Sequence, residues 1–445
     1  MVKFRKFGYY LVDLYRHTHV IKDYKFLMKS QYWSEDKLHK YRNIKLKNLI
    51  NQVYNFVPYY KSIFDKLKLI PMDIQSIDDL KLLPILTKDI IKEQPNSFIA
   101  TNYSKFGKWP KATGGSTGVP LKYYLSYKSL SLASACILRA WNECGYKIGD
   151  KIIYFGGASL IGNINYKLQI YYLLKNTIPL SAIILSEKAL SLYVQKIRSS
   201  KARFMYSYAS SAYNLANYIL EHNINDIFLT AISTTAEVLL PKYRENIEKA
   251  FHCKVYDQYG ANDGGISSFE CKKYNGFHYN ADCVILEAID DNNKPVNFGL
   301  KGNAVVTDLN NFTMPFIRYK LDDEIVLDRK KCSCGRGLPL IKEVRGRNSD
   351  YIINNTGEKV HRVFFNHLFT KMEFIRKYQV IQNNNFEIEF HFVIDKERYN
   401  NEKFDKIKNI MINKFTNMKI NINIVDEIAV SNNNKYRYII NTMSD

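Results

Sequence analysis

The stretch Lys111-Ala-Thr-Gly-Gly-Ser-Thr-Gly-Val-Pro-Leu-Lys122 is a loop of small and hydroxyl-bearing residues set in hydrophobic sequence. Gly114, Gly115 and Gly118 let the backbone turn and come close to a ligand, while Thr113, Ser116 and Thr117 supply hydroxyls beside the exposed N–H groups. That combination holds phosphate. It is not a Walker loop, because no Gly-Lys-Ser/Thr follows the glycines and Pro120 stands where a helix would open. A plain turn uses the same residue types, so the loop gains its weight from its neighbours.

Before it, helical spacing runs to about residue 95; after it, a Ser/Leu/Ala-rich helix is predicted over Ser126–Cys144. Beyond Gly149-Asp150, short apolar runs (Lys151–Phe155, Leu180–Leu185, Ala202–Tyr206, Ile227–Ser233, Lys254–Gln258) alternate with longer segments (Leu168–Lys175, Ala189–Ser199, Ser211–His222, Pro241–Phe251). Such alternation predicts an α/β sheet with parallel pairs. From Cys283 the pattern becomes strand and turn: Val284–Ile289, Asn303–Asp308 and Phe316–Tyr319, separated by Asn/Asp turns. A last unit opens with the strand–turn–strand Tyr351–Val360 and continues through a helix, a strand at Phe386–Val393, a helix and a strand at Lys419–Val425. The fold class expected is α/β. A large N-terminal domain (1–349) has mixed sheets flanked by helices, with a helical start (1–95) and a small β subdomain (283–349), and a small α+β C-terminal domain (350–445) follows.

A chain of 445 residues with 46% hydrophobic content can bury a substantial core. The net charge of +21, from 64 Lys+Arg against 43 Asp+Glu, is spread along a chain rich in Lys, Asn, Ile and Tyr, as an AT-rich coding sequence would give, so nucleic acid is not the expected partner. The first 70 or so residues interleave Lys, Arg and Tyr; the face Lys45, Lys47, Leu49, Ile50, Val53, Tyr54 and Val57 packs on the main domain or lies on an anionic membrane, and packing is the expectation. The basic, aromatic opening Met1–Arg16 lacks the pattern of a signal peptide, and no apolar run is long enough to span a bilayer. Seven scattered cysteines do not form a secreted disulfide framework, so a reducing cytoplasm is expected.

Further clusters follow in order. Val255-Tyr-Asp-Gln-Tyr-Gly-Ala-Asn-Asp-Gly-Gly265 sets an aromatic, glycines and a carboxylate just after a predicted strand, where open α/β sheets bind ligands. Thr307–Asp323 ends in Arg318 and two acids, Val344-Arg-Gly-Arg-Asn-Ser-Asp350 lies at the junction with the last domain, and Asn432-Asn-Asn-Lys-Tyr-Arg437 is a polar loop holding a lysine. Separately, Cys271, His278, Cys332 and Cys334 supply three thiols and one imidazole, the ligand types of a tetrahedral zinc site; free cysteines are the alternative. Cys136, Cys144, Cys253 and Cys283 read as core residues.

In this order the motifs resemble the adenylate-forming superfamily, and within it the phenylacetate–CoA ligase branch and its capsule-biosynthesis relatives of the CapK type, over essentially the whole length, with Val57-Pro-Tyr-Tyr60 also in place. The resemblance implies activation of a carboxylic acid by ATP and Mg²⁺ to an acyl-adenylate, with release of pyrophosphate. The acyl group then passes to CoA or to an amine or hydroxyl acceptor such as an amino sugar. The implied roles are these: Thr113, Gly114, Gly115, Ser116, Thr117 and Gly118 hold phosphates. Tyr259, beside Gly260, lies against adenine, and the backbone of Thr234-Thr-Ala236-Glu237 lines that pocket. Asp263 holds Mg²⁺, and Asp323 accepts the ribose hydroxyls. Arg347 reaches ribose or phosphate, Asp350 is the hinge of a mobile C-terminal domain, and Lys435 is the catalytic ammonium. Relatives also look similar at the Cys/His cluster, which implies structural zinc. Two positions depart from the family pattern: Asp263 stands where Glu is usual, and Leu121 replaces a lysine that follows the proline in many relatives. The acid pocket is expected among Tyr154–Gly157, Tyr206–Ser211 and Ala231–Ala236, with ordinary strand-end packing as the alternative. From other classes stand a non-catalytic nucleotide-binding scaffold of a polysaccharide assembly complex and a basic membrane- or nucleic-acid-binding protein.

Overall fold

The computed structural model describes residues 2–113, 121–157, 165–182, 186–347, 351–357, 359–369, 372, 374–384, 386–428 and 438–442. They form two compact units, Met1–Val344 and Arg345–Asp445.

The first unit opens with helices α1 (Val2–Arg16), α2 (Val20–Ser30), α3 (Glu35–Phe56), α4 (Pro58–Leu67) and α5 (Lys88–Glu93). Local chemistry sets these boundaries. The Ser34 side chain accepts from the Lys37 N–H to cap α3, with Glu35 and Asp36 in the first turn where the helix dipole favours them. Pro58 cannot continue α3 and instead starts α4. On α3, Leu46, Leu49, Ile50 and Val53 are fully buried, so the helical face seen in the sequence packs into the core, as expected. The next helix, α6 (Tyr127–Glu143), is capped by Ser126, whose hydroxyl accepts from Ser129 N–H. It contributes the fully buried Arg139 and Trp141.

After a short hairpin of β1 (Trp109–Ala112) and β2 (Lys122–Leu125), the unit is organised by one sheet of eleven strands. Its parallel part holds β3 (Ile152–Gly156), β4 (Thr177–Ser181), β5 (Phe204–Tyr208), β6 (Ala231–Thr235) and β7 (Lys254–Ala261). Helices α7 (Tyr166–Leu174), α8 (Glu187–Ser200), α9 (Ala209–Glu221) and α10 (Pro241–Phe251) make the crossovers. The remaining strands are β8 (Ile266–Glu270), β9 (Phe277–Tyr279), β10 (Val284–Ile289), β11 (Lys301–Asp308), β12 (Tyr319–Asp328) and β13 (Leu340–Arg347), and the order across the sheet is β10-β11-β12-β13-β9-β8-β7-β6-β5-β3-β4.

The β-rich stretch from Cys283 continues the main sheet, and antiparallel pairing begins before it, at β8. The join is β7, whose residues Lys254–Asp257 pair in parallel with β6 and whose residues Gln258–Ala261 pair antiparallel with β8. One expectation is corrected: Phe316–Tyr319 is not a strand. Arg318 sits at φ 52, which extended backbone does not allow, and β12 starts only at Tyr319. Arg318 is held there by Glu287, at 3.0 Å, and by the Leu83 carbonyl, at 2.8 Å.

The second unit has its own core. A hairpin of β14 (Tyr351–Ile353) and β15 (Lys359–His361) leads into α11 (Arg362–Phe369). A four-stranded sheet follows, ordered β18-β17-β16-β19, from β16 (Ile375–Asn384), β17 (Glu387–Ile394), β18 (Lys419–Ile424) and β19 (Ile439–Asn441). Along β17 burial alternates, with Ile388, Phe390 and Phe392 inward against Phe365, Phe369 and Ile407, the last on α12 (Asn401–Lys414).

One buried charge ties the layers of the first unit together. Asp282, in the turn between β9 and β10, accepts from Arg139 Nη1 at 2.6 Å and Nη2 at 3.2 Å, and from the Ser30 hydroxyl at 2.5 Å. Both charged side chains are essentially excluded from solvent. Removing one partner strands the other charge in the core, so Asp282→Ala is expected to cost about 3–5 kcal/mol, read as a lower denaturation midpoint. Arg139→Met with Asp282→Leu is expected to recover most of that loss, since an apolar pair leaves no stranded charge.

Candidate functional site

The carboxyl ends of the parallel strands carry most of the sequence-predicted residues of the first unit, as open α/β sheets favour. At the end of β6 the chain passes Ala236 at φ 68, an unusual conformation for a residue with a Cβ. This turn aims the next side chain at a helix start: Glu237 Oε2 accepts from Ser210 N–H, at 2.8 Å, in the first turn of α9. Glu237 is thus engaged with the protein's own helix terminus.

At the end of β7, Tyr259 is half-buried and donates its hydroxyl to Asp323 Oδ2 on β12, at 2.8 Å. The reciprocal bond runs the other way: Tyr319, at the start of β12, donates to Asp263 Oδ2, just past β7, at 2.9 Å. Three strands separate β7 and β12 in the sheet order, so the sheet must curl to bring these side chains together. Gly264 serves this close approach: a Cβ there would press on Val306 of β11 and lie 3.2 Å from Leu321 of β12. A Cβ at Gly260 would lie 3.0 Å from the Ile266 carbonyl of the neighbouring β8. Burial, reinforced by Asp263, pushes the Tyr319 hydroxyl far above its ordinary value, so it remains a proton donor. Tyr123, on β2, is raised by the same two causes in the same order. Sequence reading placed Tyr319 inside a motif but gave it no role; its pairing with Asp263 spans the two parts of the sheet and leaves no local pattern.

Thr113 closes the stem of the glycine loop: its N–H donates to the Leu121 carbonyl at 2.9 Å and its hydroxyl accepts from Leu121 N–H at 3.0 Å. Gly114, Gly115, Ser116, Thr117, Gly118, Asp350 and Lys435 lie outside the described residues; Arg347 is the last residue of β13. The C-terminal end of β11 is tied to the start of α6. Asp308 accepts from the Ser129 hydroxyl at 2.7 Å and from Asn310 N–H at 2.9 Å, while Asn311 Oδ1 accepts from Ser126 N–H at 2.9 Å. Tyr154 and Tyr206, expected near an acid pocket, pack edge-on against Trp141 with centroids 5.7 and 5.2 Å away, the strand-packing alternative for those two rings.

Upstream on β7, Asp257 is buried beneath the site. Its carboxylate accepts from the Thr234 hydroxyl at 2.6 Å, and its N–H donates to Glu270, which Arg244 grips with Nη2 at 2.7 and 2.9 Å. Burial raises the Asp257 carboxyl to about 7, against the partial relief that Thr234 provides.

The second constellation assembles fully. Cys271, His278, Cys332 and Cys334 place their donor atoms within 4.8 Å of one another. Cys271 and Cys332 sulfurs are 3.6 Å apart, and Cys334 Sγ lies 3.3 Å from His278 Nε2. Four ligands around a tetrahedral zinc, with Zn–S about 2.3 Å and Zn–N about 2.0 Å, stand roughly 3.4–3.8 Å apart, so the donor set fits such an ion. His278 Nδ1 is 3.0 Å from the Leu338 carbonyl, a contact that presents Nε2 to the thiols. Burial keeps that imidazole neutral, its value lowered to about 4. The ligand loops are anchored on the helices: Arg336 donates to Glu143 at 2.5 Å and to Gln31 at 2.9 Å, and Lys272 N–H donates to Glu143 at 3.0 Å.

Residues 352–442 match the model of the CapK C-terminal domain. Over 423 residues the chain is 26% identical to Protein CapK of Staphylococcus aureus, covering 91% of this chain and 90% of that protein. The chain is thus similar to CapK along nearly its whole length. It is also 24% identical to phenylacetate-coenzyme A ligase of Thermus thermophilus, over 72% of each chain. In fold it matches 2-hydroxyisobutyryl-CoA ligase, captured after adenylation with 2-HIB-AMP, at a TM-score of 0.75 and 16% identity, over 94% of this chain and 92% of that one. The chain therefore has the mixed α/β fold of the CoA ligases, with a large sheet flanked by helices and a small C-terminal unit.

Asp257 gives this fold a pH signature. A carboxyl whose folded value is raised above the unfolded one binds more protons in the folded state, so its contribution to stability is full below about pH 4 and declines as pH rises towards about 7. Asp257→Asn keeps an oxygen for Thr234 and removes the titration. Its melting temperature, measured from pH 5 to 8, is expected to lose the decline that the unchanged protein shows across that range.

Proposed function

We propose that the protein is an adenylate-forming ligase: it activates a carboxylic acid with ATP to an acyl-adenylate, releasing pyrophosphate, and passes the acyl group to an acceptor. The observation that carries this reading is the pair of tyrosine-tethered carboxylates, Asp323 and Asp263, held together by β7 and β12. Two carboxylates fixed by opposing hydroxyls suit two different tasks of nucleotide handling. Asp323 accepts the ribose hydroxyls, a role for which a carboxylate has acceptor capacity beyond its bond to Tyr259. Asp263 is a hard oxygen ligand suited to the Mg²⁺ that accompanies ATP. The ring of Tyr259 stacks with the adenine, and the glycine loop, with its stem closed at Thr113, holds the phosphates through N–H groups and hydroxyls.

Homology to CapK and the phenylacetate-CoA ligases supports the reaction class. CoA is the proposed acceptor, because the coenzyme is named in the ligase relatives. A sugar amine or hydroxyl is the second reading, favoured by one observation: the match to CapK extends over 91% of the chain and includes the C-terminal domain, whereas the ligase match covers 72%. Lys435 is proposed as the cation that meets the charge developing during adenylation, Arg347 as a ribose or phosphate contact, and Asp350 as the hinge. Charge stabilisation of this kind is the main thing a protein can offer phosphoryl and nucleotidyl transfer.

The Cys271/His278/Cys332/Cys334 cluster is proposed as a structural zinc site. Four protein donors leave no open position for substrate, so zinc there ties the loop after β8 to the loop before β13.

The deciding experiment is pyrophosphate release measured with ATP across a panel of carboxylic acids. At least one acid is expected to stimulate release well above the acid-free rate, and a flat response throughout would contradict the ligase reading. With that acid, Lys435→Ala is expected to slow adenylation by roughly 10²-fold or more while ATP binding is largely retained. Elemental analysis of the purified protein is expected to find one zinc per chain, lost together with thermal stability in Cys332→Ser.

A further inference from the structure

The first helix has two apolar faces, and the fold covers only one. On the covered side of α1, Gly8, Tyr9, Val12 and Asp13 are buried. Gly8 is where α1 meets the end of α7: a Cβ there would sit 1.9 Å from the Leu174 carbonyl oxygen. Tyr9 and Tyr146 share a hydroxyl hydrogen bond of 3.1 Å. Asp13 accepts from the Thr18 hydroxyl at 2.7 Å and from Val20 N–H at 3.0 Å, fixing the turn into α2. These contacts set the rotation of the helix about its axis. They leave Phe7, Tyr10, Leu11 and Leu14, at i, i+3, i+4 and i+7, as a single outward stripe that is 56%, 53%, 38% and 75% exposed.

The charges around this stripe are of one sign. Between residues 6 and 34 the only acids are Asp13 and Asp23. Both are buried, and Asp23 is neutralised by Lys128 and bonded by the Ser131 hydroxyl at 2.6 Å. Lys6, Lys22, Lys25 and Lys29 are all exposed. Lys22 and Lys25 line the groove between α1 and α2 together with Tyr10, Leu14 and His17 of the stripe side. Asp13 also lines that groove but is nearly buried and bonded by Thr18 and Val20, so the hairpin keeps its anions covered and its cations exposed, around leucine and aromatic side chains. An apolar patch on a protein partner matches the stripe but leaves the lysines without countercharge. A bilayer with anionic headgroups matches both, taking the apolar side chains at the acyl boundary and the ammonium groups among the phosphates.

We propose that the α1–α2 hairpin is a peripheral docking element for anionic lipid bilayers, seated by the Phe7/Tyr10/Leu11/Leu14 stripe and the lysines of α2. It lies in the interface plane and does not span: no helix among the described residues is long and apolar enough to cross a membrane. This surface stands apart from the ligase reading and survives its failure, because it uses none of the proposed nucleotide-binding residues.

The test is co-sedimentation of the full-length protein with vesicles of phosphatidylcholine alone and of phosphatidylcholine mixed with phosphatidylglycerol. Binding is expected only to the anionic vesicles and is expected to weaken as salt is raised. All the substituted side chains are exposed, so the variants should fold. Leu14→Glu is expected to weaken partitioning about tenfold or more, and Lys22→Ser and Lys25→Ser about fivefold each. In Tyr10→Trp, emission is expected to shift to the blue on anionic vesicles and to be quenched by brominated acyl chains. The paired variant Lys403→Ser with Lys406→Ser, on exposed positions of α12, separates a local site from the general attraction of a basic chain and is expected to bind unchanged. Equal losses in that control, undiminished binding by Leu14→Glu, or a Leu14→Glu effect confined to oligomeric state would each overturn the proposal.

Discussion

The interaction on which the first unit depends is the carboxylate of Asp282 sealed beneath three elements. It receives Arg139 from α6 and Ser30 from α2 while sitting in the turn between β9 and β10. A charge taken out of water is costly unless nearly all of its hydrogen-bonding capacity is met in place. The helical start, the long helix α6 and the antiparallel half of the sheet are therefore not independent layers. Without α6 the Asp282 charge is unpaired, and without α2 it loses one of its hydrogen bonds. The same helices carry the partners of the Cys/His loops, Gln31 on the end of α2 and Glu143 on the end of α6, so the metal-type cluster is braced by the same layers.

The second constraint is the double pairing of β7. A strand parallel to one neighbour and antiparallel to the other, changing over between Asp257 and Gln258, is where the chain turns from an α/β architecture to a meander. Ligand-binding side chains in open sheets gather where such a change opens a crevice. Tyr259, Gly260 and Asp263 follow immediately after the changeover, and curling of the antiparallel half returns β12 to them. Asp323 stands on β12 and Asp263 in the turn after β7, and each is tied by a tyrosine from the other side.

Much of this was legible in the sequence. Residues Pro241–Phe251 and Val284–Ile289 form their elements with the expected bounds, because a proline start and a short Val/Ile-rich run ended by an Asp/Asn turn are local signals. The four donors of the Cys/His cluster come together because ligand type is written in the residues themselves, whatever the separation. What was not legible depended on distant partners. Phe316–Arg318 has the composition of a strand, but Arg318 is drawn aside to Glu287 and Leu83, residues that local periodicity does not connect. The continuity of the sheet through β8 and β9 was hidden because those strands are short, and Ser268, Glu270 and His278 on them are polar yet buried through specific bonds. The Glu237 side chain is turned onto Ser210 by the positive φ of Ala236, and a sequence does not announce that turn.

The two tyrosine–carboxylate bonds make a narrower point about the substitution at Asp263. Aspartate reaches less far than the glutamate usual in the resembling family, and a shorter side chain has fewer rotamers to lose. Tyr319 restricts it further, donating to one oxygen from a strand whose position is set by Arg318 on one side and by the β11 pairing on the other. Because burial keeps the Tyr319 hydroxyl protonated, this donor is permanent across physiological pH. In the cation-binding role proposed for Asp263, an acid oriented by such a donor has less to reorganise, which favours binding through preorganisation. The shorter acid and the buried tyrosine are therefore best understood as a pair: what is given up in reach is recovered in fixed direction.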